Sequence, residues 1–231
     1  MIRFCFDYGH GGSDPGAIYK GRKEKDDVLY IGKEVARELR RYGVIVDETR
    51  TFDKTMSLKE RSNFENKGKY DYFISFHRNA FQPEKARGVE TFTYINPTKK
   101  AKELAEKIQK SLVDIGFVNR GVKAANFHVL RETKAPAVLL EIGFIDNSRD
   151  NNLFDNKKHE IIKVISKAIL SQLGIEYKNE YKFKEALDAL VKKGLINSPD
   201  YWLENAREGK LVKGEFAAIL IERVAEIIWL D

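Results

Sequence analysis

Four side chains of the types that bind metal ions or move protons lie far apart in the sequence. His10 stands in a glycine-rich loop after the first predicted strand, and Glu24 stands in the polar segment before the first predicted helix. His77 and Glu141 each lie near the end of an apolar segment. Because open α/β sheets bind ligands at the carboxyl ends of their strands, we expect these four side chains to meet at one sheet edge.

This set of residues has the composition of a catalytic zinc site. Two imidazoles and a carboxylate are sufficient ligands for the ion, whose fourth position then holds water. In such a site the metal lowers the pKa of the water and polarises a scissile carbonyl. A further carboxylate can take the proton of the water and pass it to the leaving amine, and Glu141, flanked by apolar neighbours in AVLLEIGF, suits that role.

The same residues also have ordinary structural explanations. A histidine after a strand is often packed or capped, GHGG can be a simple turn, and a glutamate in GRKEKDD can be solvated. The spacing of the set matches no short-range zinc signature such as HExxH. Only the glutamate within AVLLEIGF resists this explanation, because a charge in an apolar strand needs a partner. Residue chemistry alone therefore leaves a metal hydrolase and a set of packed residues both open.

The elements that must position these residues alternate between strands and helices. Short β-rich or apolar runs predict strands over residues 2–7, 44–47, 72–77, 89–95 and 137–142. Apolar spacing, glycine stops and a Ser57/Glu60 capping box predict helices over residues 25–41, 57–66, 98–115 and from 155 or 156 to 173. This order predicts an α/β three-layer sandwich whose central sheet is mixed and mostly parallel.

The character of the chain changes after residue 177. No strand is evident beyond that point. Helices are predicted over residues 182–193, from Ser198-Pro199 with Ser198 as the N-cap and Pro199 as the first helical residue, and over residues 215–230. Residues 180–231 contain 8 Lys/Arg against 10 Asp/Glu, a net charge of −2, whereas the rest contains 33 against 25, a net charge of +8. We therefore predict a catalytic domain over residues 1–177 and a small all-α module over residues 178–231.

Composition narrows the class of protein. The chain has 231 residues, of which 42% are hydrophobic, so it has enough apolar material for a core. Its one cysteine excludes an intrachain disulfide and a zinc site built on several thiolates. The net charge of +6 favours polyanionic partners: nucleic acid, anionic membrane or anionic cell wall.

Several segments resemble, in the same order, the zinc-dependent N-acetylmuramoyl-L-alanine amidases of the amidase 3 type. They are DYGHGGSDPGA, KEKDDVL, TRTFDKTMSLKERSNFEN, ISFHRNAF and RGVKAANFHVLRETKAPAVLLEIGFIDN, and they cover about residues 2–174. The resemblance implies zinc-dependent hydrolysis of the amide between N-acetylmuramic acid and L-alanine in peptidoglycan. It implies Zn²⁺ ligands at His10, Glu24 and His77, and a catalytic carboxylate at Glu141.

The sequence also predicts positions or roles for other residues in or near these motifs. Asn79 is expected to bind substrate or orient a ligand, because it follows His77 closely. Arg78 is expected to face solvent, with contact to substrate as the alternative, and Arg61 to form a structural ion pair. His128, in FHVLR, is expected to be packed or to lie near the wall of the cleft, with contact to substrate as the alternative.

The C-terminal module leaves two roles open. It occupies the place where family amidases carry a wall-binding module, so it is predicted to target the cell wall; packing or oligomerisation is the alternative. About fifty residues are marginal for independent stability, which favours the alternative. Tyr201 and Trp202 are expected to belong to its core.

The N-terminal sequence predicts how the protein reaches its substrate. It has no cationic segment followed by a long apolar stretch, and no run of about 18 apolar residues occurs. Synthesis in the cytoplasm without a signal peptide is therefore expected, with release through holin pores. The protein is therefore expected to be a phage or prophage endolysin of a clostridial or related Firmicute host, with a host autolysin or sporulation enzyme as the alternative.

The expected partners are peptidoglycan and anionic wall polymers, without nucleic acid or a membrane span. The sequence leaves the oligomeric state open.

Two other functions compete with the amidase. One is a zinc peptidase of similar architecture, which would cut within the stem peptide. The other is a non-catalytic wall or nucleic-acid binder that uses the basic surface of the first domain. The complete set of His10, Glu24, His77 and Glu141 argues against a binder, since a binder has no need of all four.

Overall fold

The computed structural model describes residues 2–177, 183–206 and 210–230. The chain divides into two compact units, Met1–Tyr177 and Lys178–Asp231, which are treated separately below. The domain junction predicted after residue 177 borders residues 178–182, which lie outside the described residues. Among the residues described, no helix has both the length and the apolarity to cross a membrane.

A six-stranded sheet forms the centre of the first unit, with strand order β4-β1-β5-β8-β6-β7. All neighbouring strands are parallel except β6 and β8. A two-stranded hairpin, β2-β3, stands apart from it. The strands are β1 Arg3–Tyr8, β2 Ile18–Tyr19, β3 Arg22–Lys23, β4 Ile45–Glu48, β5 Tyr72–Asn79, β6 Val89–Thr93, β7 Asn119–Ala124 and β8 Ala137–Phe144. The predicted fold class, an α/β sandwich with a mixed and mostly parallel sheet, is confirmed.

Helices cover both faces of this sheet. They are α1 Glu24–Arg40, α2 Leu58–Lys67, α3 Lys99–Asp114, α4 His128–Arg131, α5 Ser148–Asn156 and α6 Lys158–Gln172. Side chains at even positions of the central strands, such as Phe4, Ile74 and Leu140, join the larger apolar cluster with α1, α3 and α6. Odd positions, such as Cys5 and Phe73, join a smaller cluster with Val129 of α4. The period-two alternation of β-strands therefore divides the core into two layers.

Most of the predicted elements occur within a few residues of their predicted bounds. The capping box that begins α2 is present, since Ser57 accepts a hydrogen bond from the Glu60 amide and Glu60 accepts one from the Ser57 amide. The predicted start of the last long helix at residue 155 or 156 is wrong, because α5 occupies residues 148–156 and the chain leaves helical geometry at Lys157. Sequence reasoning also missed β7, an exposed edge strand that contains Gly121 and alternates little.

The second unit contains three helices in its described residues: α7 Phe183–Lys192, α8 Pro199–Asn205 and α9 Gly214–Leu230. Pro199 stands in the first turn of α8, as predicted, but Ser198 makes no side-chain capping bond. Leu187, Ile196 and Trp202 form a small buried cluster. Tyr201 stacks on Phe216 with ring centroids 4.1 Å apart, so the aromatic pair of α8 serves the core of this unit.

Candidate metal centre and its cavity

The four residues singled out by chemistry meet on one face of the sheet, near the carboxyl ends of β1, β5 and β8. His77 and Glu141 lie opposite each other in the parallel pair of β5 and β8. Both occupy odd positions, so their side chains lie on the face that α2 and α4 cover. His10 follows β1, where the Gly9 amide bonds to the Phe76 carbonyl. Glu24 is the first residue of α1 and is buried.

Glu24 bridges the two histidines. Its Oε2 lies 3.2 Å from Nε2 of His10, and its Oε1 lies 2.9 Å from Nδ1 of His77. One ligand atom from each of the three residues can be chosen so that all lie within 4.8 Å of one another. Ligands bound at about 2.0–2.1 Å in a tetrahedral zinc site are separated by about 3.3 Å, so the donor set fits such an ion.

Two glycines make this close approach of side chains possible. A Cβ at Gly9 would lie 2.2 Å from the His77 ring, and a Cβ at Gly16 would lie 2.7 Å from both Glu24 Oε2 and His10 Cδ2. His10 itself has a φ of 60°, in the left-handed region that few non-glycine residues adopt. The GHGG sequence is thus a tight turn that presents a histidine.

Further contacts orient the three possible ligands. Asp14 Oδ2 lies 2.9 Å from Nδ1 of His10, which leaves Nε2 on the Glu24 side. Glu24 also accepts backbone hydrogen bonds, at Oε2 from Ala17 and at Oε1 from Arg78. A carboxylate bonded to the outer nitrogen of a histidine is typical of metal sites, because it fixes the tautomer and the ring.

The electrostatics of this group favour an ionised carboxylate. Burial alone would raise the pKa of Glu24, but hydrogen bonds and charge from His10 and His77 outweigh it and hold the pKa well below its usual range. For His10, burial acts to lower the pKa, but Glu24 and Asp14 raise it overall. Glu24 therefore remains ionised and offers carboxylate oxygens to a cation.

Glu141 differs from Glu24 in having few partners. Its Oε2 is buried and has no hydrogen-bond partner among the described residues. Burial, followed by the charges of Glu24 and Glu90, raises the pKa of Glu141 well above its usual range, and Arg78 opposes the shift. A carboxyl group in this environment has an unusually high affinity for a proton, which suits acid–base work.

A buried ion pair holds the loop that carries His10. Arg61 of α2 lies 2.7 Å from Asp7 of β1, and the structural ion pair predicted for Arg61 is confirmed. Asp7 also accepts hydrogen bonds from Thr49 and Ser75. Burial would raise the pKa of Asp7, but Arg61 and these hydrogen bonds outweigh it and lower it.

The same arginine reaches the backbone of the metal-site turn. Arg61 donates to the carbonyls of Tyr8 and His10, and Arg50 donates to those of Tyr8 and Gly9. Three consecutive carbonyls of the turn are thus fixed by guanidinium groups from β4–α2. Arg50 and Arg61 therefore position the turn that carries His10.

The structure contradicts the position predicted for Arg78. Its side chain is fully buried, so the solvent-facing position predicted for Arg78 is wrong. It pairs with Asp27 of α1, donates to the Ile142 carbonyl and to Asn151 of α5, and lies 4.2 Å from the centroid of the Phe154 ring. Burial is tolerated because the guanidinium finds partners on three elements that surround the end of β5.

Asn79 lies at the end of β5 but outside the cavity described below. Its amide donates to Glu90 of β6 and its carbonyl accepts from the Ala80 amide. Glu90 stands opposite Glu141 in the antiparallel pair of β6 and β8. The substrate-binding role proposed for Asn79 stays a prediction, and its contacts in the structure are with neighbouring strands.

The metal centre opens into a cavity of about 450 Å³. One wall comes from the start of α2 and the other from the start of α4. Sequence reasoning pointed to His128 there and missed the apolar residues, which no motif marks. The lining residues are Asp7, Gly9, His10, Asp14, Met56, Ser57, Leu58, Arg61, His77, Phe127, His128, Val129, Leu139 and Glu141.

Comparison with known proteins identifies the family of the chain. Residues 5–171 match the family model of N-acetylmuramoyl-L-alanine amidases, of the amidase 3 type. The chain belongs to this family. The matched region contains all four residues of the candidate centre and ends within α6.

Curated cell-wall amidases are similar to part of this chain. The N-acetylmuramoyl-L-alanine amidase CwlM of Bacillus licheniformis is 39% identical over 157 residues, which are 65% of this chain and 59% of CwlM. The chain spans about three fifths of the length of the curated relatives that it matches.

Solved amidase structures match as well. The N-acetylmuramoyl-L-alanine amidase of Clostridium difficile 630 superposes with a TM-score of 0.72 at 33% identity, over 76% of this chain and 98% of that one. The catalytic domain of the CD27L endolysin, which targets Clostridia difficile, gives 0.65 at 26% identity, over 77% and 100%.

Proposed function

We propose that this protein hydrolyses the amide bond between N-acetylmuramic acid and L-alanine in bacterial peptidoglycan. The observation that carries the proposal is that His10, His77 and Glu141 line one cavity while Glu24 bridges the two histidines, in a chain that belongs to the amidase family. Three of them form a donor set of nitrogen and oxygen atoms. The fourth is a buried carboxyl group with an unpaired oxygen.

We propose Zn²⁺ as the ion that His10, Glu24 and His77 hold. The spacing of their donor atoms, the depressed pKa of Glu24 and the orientation of His10 by Asp14 support this choice. When bound, Zn²⁺ would supply a Lewis acid that polarises the scissile carbonyl and makes a water more acidic. The single cysteine, Cys5, is buried on β1 and belongs to the apolar cluster beneath α4.

Glu141 is the residue we assign to proton transfer. It takes a proton from the water that attacks the carbonyl carbon and delivers a proton to the nitrogen of L-alanine as the carbon–nitrogen bond breaks. Burial favours the protonated form that this carboxyl group holds between the two steps, and the charge of a bound metal would favour the ionised form that takes the proton. The products are the free lactyl carboxylate and a stem peptide with a new amino terminus.

Product analysis on defined muropeptides tests the activity. The purified full chain should release intact stem peptide with N-terminal alanine. Removal of metal with a chelator should abolish the reaction, and one equivalent of Zn²⁺ should restore it. Cleavage within the stem would instead identify a zinc peptidase, and binding to walls without any cleavage would identify a non-catalytic binder.

We further propose that residues 178–231 bind the cell wall. Support comes from the division of the chain into two units and from the exposed apolar side chains of the second, including Leu211 and Ile221. The full chain should then sediment with purified walls, whereas residues 1–177 should bind more weakly. If both forms bind equally and only the full chain is oligomeric on a sizing column, the module serves oligomerisation.

Anionic wall polymers are the second partner that we propose. The first 179 residues carry a net charge of +8, which would attract teichoic acids and stem carboxylates. Walls stripped of teichoic acid should bind less of residues 1–177, and the difference should vanish at high salt. Equal binding to both wall preparations would contradict this.

The biological setting that we propose is that of a phage or prophage endolysin released through holin pores. The likeness to the CD27L endolysin catalytic domain supports this setting. Expression in a Firmicute host should leave the culture intact until a holin is co-expressed, and then lyse it. Lysis without a holin would show another route to the wall, as expected of a host autolysin.

A further inference from the structure

The cavity is larger than the reacting groups require, so part of it must serve binding. Its volume of about 450 Å³ falls within the range typical of ligand pockets, about 300–1,000 Å³. The walls away from the metal centre are largely apolar, with Met56, Leu58, Phe127 and Val129. In such pockets a few polar groups fix the orientation of the ligand.

Most of the polar side chains in the lining are already committed to partners within the protein. Asp7 and Arg61 bind each other, and Arg61 also binds backbone carbonyls. Asp14 binds His10 at one oxygen and the Gly16 amide at the other. These groups shape the cavity without offering an open site to a ligand.

The remaining polar lining residues divide into two groups. Ser57 is consumed by its capping box, in which its hydroxyl donates to Glu60 and accepts from the Glu60 amide. His10, His77 and Glu141 belong to the reactive centre. Among the described residues that line the cavity, this leaves His128.

His128 is held in place by one of its ring nitrogens. Its Nε2 lies 3.1 Å from the hydroxyl oxygen of Ser62 on α2. We assign the hydroxyl proton to the hydrogen bond with the Lys59 carbonyl, which makes the hydroxyl oxygen the acceptor of a hydrogen on Nε2. A neutral imidazole with hydrogen on Nε2 has a free acceptor at Nδ1. No hydrogen bond to Nδ1 occurs within the described part of the chain.

We propose that Nδ1 of His128 accepts a hydrogen bond from an N–H or O–H group of the substrate, beside the scissile bond. The inference rests on the proposed function, since the cavity that His128 lines contains the proposed metal centre. The donor belongs either to an amide of the stem peptide or to a hydroxyl of the sugar. His128 is thus a substrate-binding residue, and Ser62 is the residue that positions its ring.

A pair of isosteric substitutions separates the two nitrogens of the ring. The amide of glutamine reaches the place of Nε2, so His128→Gln keeps the contact with Ser62 and loses the acceptor at the cavity. The amide of asparagine reaches the place of Nδ1, so His128→Asn keeps the acceptor and loses Ser62. A purely structural His128 would be rescued by glutamine and impaired by asparagine, which is the opposite pattern.

Kinetics on soluble muropeptides provide the first measurement. His128→Gln should raise KM about three- to tenfold, the range that one neutral hydrogen bond supplies, and should leave kcat within about twofold. His128→Asn should stay within about twofold of the wild-type KM. Equal KM values for wild type and His128→Gln, or rescue by glutamine rather than asparagine, would overturn the proposal.

Two substrates identify the source of the donor. One carries the full stem peptide on a single N-acetylmuramic acid, and the other carries a dipeptide on a longer glycan. A defect of His128→Gln on the first substrate alone assigns the donor to the stem. A defect on the second alone assigns it to the additional sugar, and equal defects assign it to the shared muramyl-dipeptide part.

Binding measurements keep this inference separate from the proposed activity. The zinc-loaded Glu141→Gln chain should bind each muropeptide without cleaving it, and adding His128→Gln should raise Kd about three- to tenfold. If wild type fails to cleave but this loss of affinity persists, the proposed amidase activity fails and the His128 contact stands. If His128→Gln leaves Kd unchanged, the contact is overturned whatever the activity.

Discussion

The two units of the chain bury different kinds of side chain. In residues 2–177 the interior contains charged groups: Asp7, Glu24, Arg61 and Arg78 are nearly inaccessible to solvent, and Glu141 has a buried Oε2. In the described residues of the second unit, the buried side chains are those of Leu187, Ile196 and Trp202, all apolar or aromatic. Buried charge, which is costly to stability, therefore occurs in the first unit and not among the side chains whose burial is described in the second.

This difference indicates where chemistry resides. A buried charge is costly unless it is paired, so a set of them persists only where partners or function retain it. In the first unit the pairs Asp7–Arg61 and Asp27–Arg78 surround the metal centre, and Glu141 remains unpaired at Oε2. The second unit has a small core and exposed apolar side chains, which suit contacts at its surface.

The largest effect that would test this contrast is the removal of the unpaired carboxyl group. Glu141→Ala should lower kcat about 10³-fold or more, because proton transfer to and from the reacting groups is lost. Metal content should stay near one Zn²⁺ per chain, since the ligand set is intact. The melting temperature should not fall, because a buried and unpaired carboxyl group is removed.

His77→Ala is the matched substitution on the opposing strand. It should lose both zinc and activity, because it removes a ligand and leaves two donors. Metal analysis and kinetics on the same preparations compare the two variants. A near-normal rate for Glu141→Ala would mean that the mechanism proposed for this carboxyl group is wrong.

The next largest effect concerns the buried pair beneath the centre. Asp7→Asn should reduce the free energy of unfolding of the first unit by about 3–5 kcal/mol, because it leaves Arg61 buried without its counter-charge. Denaturant titration measures this loss. Asp114→Asn, which breaks an exposed pair with Lys110, is the control and should cost less than about 1 kcal/mol.

The pH dependence of the same pair has a definite sign. The pKa of Asp7 is lower in the folded state than in the unfolded chain, so the folded state binds fewer protons there. Its stabilisation is complete above the ordinary aspartate pKa, about 3.9, and is lost as the pH falls through the folded-state value. Asp7→Asn should therefore be less stable at neutral pH and show a flatter loss of stability in acid. Parallel acid-unfolding curves for both proteins would contradict this assignment.

A smaller effect should stay within the second unit. Trp202→Ala should destabilise that unit by about 3 kcal/mol, since it removes the largest side chain of a small cluster. Kinetics on soluble muropeptides should not change, because the reactive residues all lie in the first unit. Calorimetry follows each unit, and Leu211→Ala, at a 92% exposed position, serves as the neutral control. A changed kcat for Trp202→Ala would contradict the claim that the second unit does not affect the reaction.

The sequence predicts which residues form the candidate centre better than it predicts which residues hold them in position. These four residues could be identified because His10, His77 and Glu141 follow or lie near the ends of predicted strands, and Glu24 precedes the first predicted helix. The register that places His77 opposite Glu141 could not be predicted from the sequence, because strand alignment depends on contacts between distant segments. Period-two alternation then explains why both face the same layer.

The buried arginines show the limit of local reasoning. Arg78 stands beside a proposed ligand in a segment that gives no sign of burial, and its partners Asp27 and Asn151 lie 51 and 73 residues away. The edge strand β7 was missed because its residues are exposed and include a glycine. Both errors concern features that tertiary contacts decide.

The smallest effect distinguishes a helix that supports the centre from one that does not. Ser57→Ala removes the N-cap of α2, and Thr98→Ala removes that of α3, where the Thr98 hydroxyl accepts from the Ala101 amide. Each should cost about 1 kcal/mol in the free energy of unfolding. Because α2 carries Arg61, which holds the His10 turn, Ser57→Ala should also weaken Zn²⁺ binding measurably, whereas Thr98→Ala should not. Equal zinc affinities in the two variants, at equal loss of stability, would mean that the turn holds His10 without help from α2.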